Sequence, residues 1–159
     1  MPISIRASVD PASSRVEART SQDQPIVMDA DPPHGDDSAA GPRETLLAAL
    51  AGCTSMDVAS ILRKKRQVAV SYEVSVAGES AEEPPRVFTR ITVRHHVTGE
   101  VQAEALRRSI ELSATRYCPV NAMLSASATV EHHYRLVDSS GGEHEALVAV
   151  TGPAGTHVA

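Results

Sequence analysis

The stretch from Gly41 to Arg66 has the longest helical pattern in the chain and contains Cys53, one of only two cysteines. Apolar or small side chains recur in it at three- and four-residue steps, which predicts a helix with one buried face. This face consists of Leu47, Leu50, Thr54, Val58 and Ile61. Pro42 suits the first turn, because the N–H that proline lacks would have no partner there. The sequence therefore predicts a chain organised around one long helix that contains Cys53.

Composition limits how this helix can be covered. At 159 residues the chain is long enough for one domain with a core and too short for two ordinary ones. Aromatic residues make up only 3% of the chain, so the core must consist of Val, Leu, Ile and Ala. Such a core fills space poorly on its own. We therefore expect a homo-oligomer that buries further apolar surface between its subunits.

Net charge, hydropathy and cysteine count bear on partners and location. A formal net charge of −5 argues against nucleic acid or an anionic membrane as the partner. We expect no apolar run long enough to span a bilayer and no secretory signal at residues 1–10, so a cytoplasmic location is the default expectation. In a reducing compartment, two cysteines are typical of free thiols, metal ligands or a redox pair rather than of a structural disulfide.

Alternating apolar and polar residues predict strands on both sides of the helix. The predicted strands span residues 3–9, 16–20, 25–29, 68–76, 87–97 and 128–136. The first three are expected to form an antiparallel meander, and the fourth and fifth a hairpin. Helical spacing returns at 101–114, and a short helix is predicted at 120–124. One domain is thus expected over residues 1–137, followed at 138–159 by a mobile tail with at most a short strand at 146–150.

Cys53 and Cys118 are the strongest candidates for chemistry. Cys118 directly precedes Pro119, so it can cap the following helix at its positive end, and Arg116 lies two residues away. Both features lower the pKa of a thiol. Cys53 follows Gly52 and precedes two small hydroxyl residues, which leave room for a substrate or a second sulfur. The alternative that both are ordinary buried thiols stays open, because free cysteine is among the most buried residue types.

Two histidine pairs, His95-His96 and His132-His133, suggest a metal site that strand geometry argues against. Adjacent residues on a strand point to opposite faces, so neither pair can bind one ion. We expect each pair to have one half-buried ring and one ring in solvent. The chain also lacks a CxxC motif or a Cys/His pair at ligand spacing. The sequence therefore predicts no metal and no other cofactor.

Two acidic residues of the long helix have open interpretations. Asp57 lies one turn beyond Cys53, where it can orient a partner or be an ordinary polar position. Glu44 can accept a hydrogen bond from the N–H of Gly41 as a cap, or it can act in an active site. Nine residues at about 100° each place Glu44 and Cys53 on opposite faces of a straight helix. The second role therefore needs a break near Gly52, or an arginine and a neighbouring subunit that bridge the two residues.

Two segments together resemble the osmotically inducible protein C family, known as OsmC/Ohr. They are GPRETLLAALAGCTSMDVASILRKKRQ around Cys53 and RYCPVNAMLSASATVEHHY around Cys118. The predicted order of strands, cysteine helix, hairpin, second helix and Cys-Pro turn agrees as well, over about residues 3–136. Within the family, the sequence is most similar to a branch described only as OsmC-like.

The resemblance implies an α+β fold in which two chains intertwine as a homodimer, with antiparallel sheets wrapped around two central helices. It also implies a thiol peroxidase that reduces organic hydroperoxides. In that mechanism Cys53 attacks the peroxide as a thiolate and becomes a sulfenic acid, and Cys118 condenses with it to a disulfide. A small dithiol such as a lipoyl group, or another cellular thiol, restores the pair.

The resemblance also bears on the charged residues. Glu44 matches the family glutamate ahead of the first cysteine, which favours its active-site role over capping. In peroxidase members, an arginine from the N-terminal strands lies over the reactive cysteine and stabilises its charge. Arg6, Arg15 and Arg19 are available, and we assign this role to Arg15. The alternative function is a dimeric redox sensor or apolar-ligand-binding protein with little peroxidase turnover.

Overall fold

The computed structural model describes residues 2–159, which divide after Leu46 into two compact units. The first unit contains a three-stranded antiparallel sheet of order β1-β2-β3. Its strands are β1 (Ile5–Val9), β2 (Val16–Thr20) and β3 (Pro25–Met28). The predicted meander is therefore confirmed. Every residue of β1 is exposed in the single chain, where half-burial was expected.

Helix α1 spans Pro42–Lys64, which confirms the long helical pattern. Its buried residues are Leu50, Thr54, Val58 and Leu62. This stripe follows steps of four residues and therefore ends on Leu62, where Ile61 was expected; Ile61 is half-buried. The helix runs through Gly52 without a break.

The length and hydropathy of α1 correct the expectation that no segment suits a bilayer. The helix has 23 residues and is, by length and composition alone, long and apolar enough to cross a membrane. Its alanines, its few charged residues and exposed apolar side chains such as Leu46 and Met56, which lie outside the buried stripe, make the helix apolar. The central helix of a soluble protein meets the same test, and α1 packs Leu50 and Val58 into the core of the second unit.

The second unit contains a five-stranded sheet of order β4-β5-β6-β7-β8. Its strands are β4 (Val68–Ser80), β5 (Phe88–Glu100), β6 (Thr129–Asp138), β7 (Glu143–Gly152) and β8 (Gly155–Val158). The strands β4 and β5 form the predicted antiparallel hairpin. The strands β5 and β6 are parallel, which corrects the expectation of purely antiparallel sheets. Parallel neighbours need a crossover connection, and residues 101–128 provide it.

The crossover consists of three helical pieces. They are α2 (Ala103–Leu112), a π-helical turn (Ser113–Tyr117) and α3 (Pro119–Leu124). The two helices predicted in this region are confirmed, but a π turn replaces the end of the first. The N–H of Cys118 closes this turn on the carbonyl of Ser113 at 3.0 Å. Cys118 therefore lies at the junction between the π turn and α3.

The segment after Asp138 is not the predicted mobile tail, although the short strand expected at 146–150 is present as part of β7. The strand β7 pairs with β6, and β8 pairs with β7, both antiparallel. Val148 and Ala149 are fully buried. The alternation of β7 is broken because its register with β6 shifts by one residue opposite His132 and His133. That irregularity places two consecutive buried residues in β7, so no two-residue period is visible in the sequence.

Two apolar clusters form the core of the second unit. The larger one lies around the second half of α1, with α2 and the strands β5, β6 and β7. The smaller one lies around Leu50 and includes Cys118, with Cys53 packed against it. The cysteines thus lie in an apolar environment built by α1, the sheet and the crossover.

Candidate active site

Cys53 and Cys118 come together although they are 65 positions apart in the chain. Their Sγ atoms are 2.6 Å apart, and Cys118 donates its thiol hydrogen to Cys53. Both are free thiols. Cys118 is buried at 2% exposure, whereas Cys53 is half-buried. The pair is therefore within reach of a disulfide, and Cys53 is the thiol that a molecule from solvent meets first.

The environment of Cys118 corrects the expectation that its pKa is lowered. Burial, followed by the hydrogen bond that the thiol donates to Cys53, raises the pKa of Cys118 to about 12. The predicted cap is present, since Cys118 Sγ accepts a hydrogen bond from the N–H of Asn121 at 3.3 Å. This contact acts in the opposite direction and is outweighed. Arg116 is exposed, with its guanidinium over the ring of Tyr117.

Asp57 is an anion beside the thiols. One of its carboxylate oxygens lies within 4.8 Å of both sulfur atoms. Ser113, in the π turn, donates a hydrogen bond to Asp57 Oδ2 at 3.0 Å and lies 3.1 Å from Thr54 Oγ1. The negative charge of Asp57 also contributes to the raised pKa of Cys118. Of the two interpretations given to Asp57, the contacts favour the one in which it faces the cysteines.

Cys53, Asp57 and Cys118 are also close enough together to share a metal ion. Two thiolates and a carboxylate are ligand types that suit Zn²⁺. Spacing in the sequence could not indicate this group, because its third member comes from the crossover. Binding would require Cys118 to lose its proton, which its raised pKa opposes. The absence of a metal stays a prediction.

Glu44 makes the capping contact that the sequence allowed. Its Oε2 accepts a hydrogen bond from the N–H of Gly41 at 2.8 Å. The unbroken course of α1 through Gly52 removes one of the two conditions set for a role at Cys53. The active-site role of Glu44 therefore stays a prediction that needs an arginine and a neighbouring subunit.

Arg15, the assigned arginine, is exposed at the end of the first hairpin and donates a hydrogen bond to the hydroxyl of Ser38. That hydroxyl in turn donates to Asp29 Oδ2 at 2.6 Å. The Ser38 hydroxyl is the main cause that lowers the pKa of Asp29 to about 2. Arg15 therefore contacts the hydroxyl that also binds the carboxylate of Asp29, and its role toward Cys53 stays a prediction.

The histidine pairs differ from the expectation of half-burial. His95 and His132 are fully buried, and they contact each other, with His95 Nε2 3.3 Å from His132 Nδ1. His96 and His133, on the opposite face, are half-buried. The sequence does contain a signal for this burial. Both buried rings alternate with residues of the outer face and share the inner face of their strands with apolar residues such as Val93 and Val97. Only the parallel pairing of β5 and β6, which the sequence did not indicate, brings them together.

Comparison with known proteins identifies the family. Residues 35–133 match the family model described as OsmC-like protein. The chain is also 41% identical over 113 residues to Protein YhfA of Escherichia coli strain K12, covering 70% of this chain and 82% of the relative. The chain belongs to the OsmC-like family. The matched range includes Glu44, Cys53 and Cys118 but not Arg15.

Solved OsmC-like structures share the fold. An OsmC like protein from Mycoplasma pneumoniae superposes with a TM-score of 0.74 at 20% identity, covering 86% of this chain and 97% of that chain. An organic hydroperoxide resistance protein OsmC from Legionella pneumophila superposes with a TM-score of 0.60 at 17% identity, covering 83% and 95%. These likenesses establish the α+β OsmC-like fold. They cover a larger share of the chain than the family match does.

Proposed function

We propose that this OsmC-like protein is a cysteine-dependent peroxidase that reduces organic hydroperoxides to alcohols. The observation that supports it best is the Sγ–Sγ distance of 2.6 Å between a half-buried and a buried free thiol. One member of the family fold, from Legionella pneumophila, is described as an organic hydroperoxide resistance protein. A peroxidase needs an accessible nucleophile and a second thiol within reach, and this pair offers both.

In the first step of the proposed cycle, the thiolate of Cys53 attacks a peroxide oxygen. The O–O bond breaks, the leaving alkoxide takes up the proton that the Cys53 thiol had released and departs as an alcohol, and Cys53 becomes a sulfenic acid. In the second step, the sulfur of Cys118 attacks the sulfur of Cys53, and the hydroxyl group leaves as water. Cys53 is the nucleophile because it is the more accessible thiol, and Cys118 follows because it is buried against it.

The second step requires Cys118 to lose a proton that its pKa of about 12 retains at neutral pH. Asp57, with an oxygen within 4.8 Å of both sulfur atoms, is placed to accept this proton through one water molecule. The same carboxyl group can then protonate the departing hydroxide. The products of this step are one disulfide and one water, and an external dithiol of the lipoyl type returns the pair to two thiols by exchange.

We further propose that the working form is a homodimer in a reducing compartment. The single chain exposes large apolar side chains that a second subunit would cover. They include Ile5, Val9, Met56, Val68 and Val70, with exposed fractions between 53% and 82%. The assigned roles of Glu44 and Arg15 depend on this partner, because an arginine and a neighbouring subunit are the remaining route by which Glu44 can act at Cys53.

The test is to mix the reduced protein with cumene hydroperoxide and to count free thiols and cumyl alcohol. We expect two thiols to be lost for each alcohol formed. Cys118→Ser should stop at a sulfenic acid that dimedone traps, and Cys53→Ser should retain its remaining thiol. The peroxidase proposal would be refuted if the parent lost no thiols at peroxide excess and Cys53→Ser behaved like the parent.

A redox sensor is the second candidate, favoured by the charge beside the thiols. The carboxylate of Asp57 opposes formation of a second anion at Cys118, which slows each cycle. A sensor would form the disulfide once and would show no sustained peroxide consumption with an excess of dihydrolipoamide. A peroxidase would consume peroxide continuously under the same conditions.

A further inference from the structure

A chain of four buried or half-buried polar side chains leads from the sheet to the crossover. Tyr72 on β4 has its hydroxyl 2.7 Å from His95 Nδ1 on β5, and His95 Nε2 lies 3.3 Å from His132 Nδ1 on β6. His132 Nε2 lies 2.9 Å from Oδ1 of Asn121 on α3. His95, His132 and Asn121 have no exposed surface. The neighbouring core is otherwise made largely of apolar residues.

The donors and acceptors available to each side chain determine the direction of every hydrogen bond in this series. Asn121 Nδ2 donates to the carbonyl of Ala114 at 2.8 Å and to Thr151 Oγ1 at 3.1 Å, so Asn121 Oδ1 must accept from His132 Nε2–H. A neutral His132 then accepts on Nδ1 from His95 Nε2–H. His95 in turn accepts on Nδ1 from the hydroxyl of Tyr72. All donors therefore point toward Asn121.

The surroundings keep both imidazoles in the neutral form that this direction needs. Burial lowers the pKa of His95 well below its ordinary value and lowers the pKa of His132 to about 4. A protonated ring would present two N–H donors and would turn one link into a contact between two hydrogens. The chain of hydrogen bonds is therefore complete at neutral pH.

Asn121 connects this chain to Cys118 on two sides. Its backbone N–H donates to Cys118 Sγ at 3.3 Å, and its side chain holds the carbonyl of Ala114 in the π turn just before Cys118. The turn and the sulfur are thus held by one buried residue. The orientation of that residue depends on the hydrogen bond from His132.

We propose that His132, supported by His95 and Tyr72, is a positioning residue for Cys118. It fixes Asn121, and Asn121 fixes the Cys118 sulfur opposite Cys53. The inference rests on the disulfide chemistry of the proposed function but does not depend on peroxide as the oxidant. A buried network that served stability alone would leave the thiol–disulfide equilibrium of the pair unchanged when altered.

Two substitutions of His132 test whether its hydrogen bond to Asn121 matters for Cys118. Gln at this position places an amide near the position of Nε2 and can still donate to Asn121, whereas Asn reaches only the position of Nδ1. The measurement is the equilibrium of the protein disulfide plus two glutathione thiols with the protein dithiol plus oxidised glutathione, at pH 7. We expect His132→Asn to weaken the protein disulfide about tenfold, which corresponds to about 30 mV. His132→Gln should stay within about twofold of the parent.

Val148→Ala is the control for a general loss of stability. Val148 is fully buried in the larger apolar cluster, so its truncation should lower the melting temperature without moving the glutathione equilibrium. If His132→Asn does not fold, Thr151→Val takes its place, because it removes an acceptor of Asn121 Nδ2 and should weaken the disulfide by about threefold.

An unchanged equilibrium in the folded His132→Asn or Thr151→Val protein would overturn the inference, as would an equal change in His132→Gln and His132→Asn. A parent that forms no disulfide would count against the peroxidase cycle instead. In that case the positioning role of His132 is tested by the rate at which iodoacetamide alkylates Cys118. His132→Asn should raise this rate at least threefold while Val148→Ala leaves it unchanged, and no rise would refute the positioning role.

Discussion

Ser113 donates a hydrogen bond to Asp57 Oδ2 at 3.0 Å and thereby turns a charged side chain of α1 toward the cysteine pair. A hydrogen bond to a carboxylate is stronger than one between neutral groups. The π turn that presents Ser113 also brings Cys118 into place, so one local irregularity positions both the sulfur and the group that holds the anion. Such turns are frequent at functional sites.

Replacement of Asp57 by Asn should make Cys118 more reactive as a free thiol. The carboxylate charge contributes to the raised pKa of Cys118, and its removal favours the thiolate. We expect about a twofold faster alkylation of Cys118 at pH 8, because the charge of Asp57 is the smallest of the causes that raise this pKa, and mass spectrometry measures the rate site by site. Glu104→Gln, which removes a carboxylate paired with Arg107 on α2, should leave the rate unchanged. A slower alkylation in Asp57→Asn would contradict this role.

Glu44 offers a test that separates capping from catalysis. Gln can accept the same hydrogen bond from the N–H of Gly41, but it has no charge. We expect Glu44→Gln to keep the free energy of unfolding within about 0.3 kcal/mol, and Glu44→Ala to lose about 1 kcal/mol. If Glu44 acts in the active site, both variants should lose at least tenfold in peroxide consumption. Parent-like peroxide consumption by Glu44→Gln would leave only the capping role.

Oxidation of the cysteine pair should stabilise the protein. A disulfide between residues 65 positions apart restricts the unfolded chain, which corresponds to about 4 kcal/mol in the chain-entropy model. For a chain of this size we expect a rise of roughly 10 °C in melting temperature between the reduced and oxidised forms. Cys118→Ser, treated with the same oxidant, should show no rise. Equal melting temperatures for reduced and oxidised parent would argue that the disulfide strains the native state.

Acid should destabilise the protein well above the range in which carboxylates titrate. The unfolded chain binds protons on His95 and His132 near pH 6.5, whereas burial keeps both rings neutral in the folded chain, down to about pH 4 for His132. Stability is therefore lost as the pH falls below 6.5, by at most about 1.4 kcal/mol per pH unit for each histidine. Urea unfolding between pH 7 and pH 4.5 measures this slope.

Two variants test the origin of this pH dependence of the free energy of unfolding: His132→Gln, and His157→Gln as its control. His132→Gln removes one of the two buried titrating rings and should halve the loss per pH unit. His157 is exposed on β8, so its replacement should leave the slope as in the parent. A parent whose stability does not change between pH 6.5 and pH 4.5 would refute the neutral, buried state of both rings.

The elements with a clear period could be predicted from the sequence. The long helix around Cys53 follows from its three- and four-residue steps, and the hairpin of β4 and β5 follows from local alternation. The proximity of Cys53 and Cys118 followed only from the resemblance to a family, because no local spacing links positions so far apart. The cap at Cys118 was predictable because it is a contact within four residues.

The features that sequence could not indicate depend on long-range pairing. The parallel register of β5 and β6 brings His95 to His132, and no local signal distinguishes it from an antiparallel one. The strand β7 was expected only as a short strand at 146–150 within a tail, because its bulge hides the alternation over the full Glu143–Gly152 range. The pKa of Cys118 was expected to fall, since the helix end is visible in the sequence but the burial that outweighs it is not.

The parallel crossover between β5 and β6 also determines when the thiol pair comes into existence. Cys118 lies in the connection that must close before β6 can align with β5, and contacts across such long loops form late in folding because their entropy cost is large. A nascent or partly folded chain therefore has two separate, ordinary thiols. Chemistry that needs both thiols together is restricted to molecules that have completed the fold.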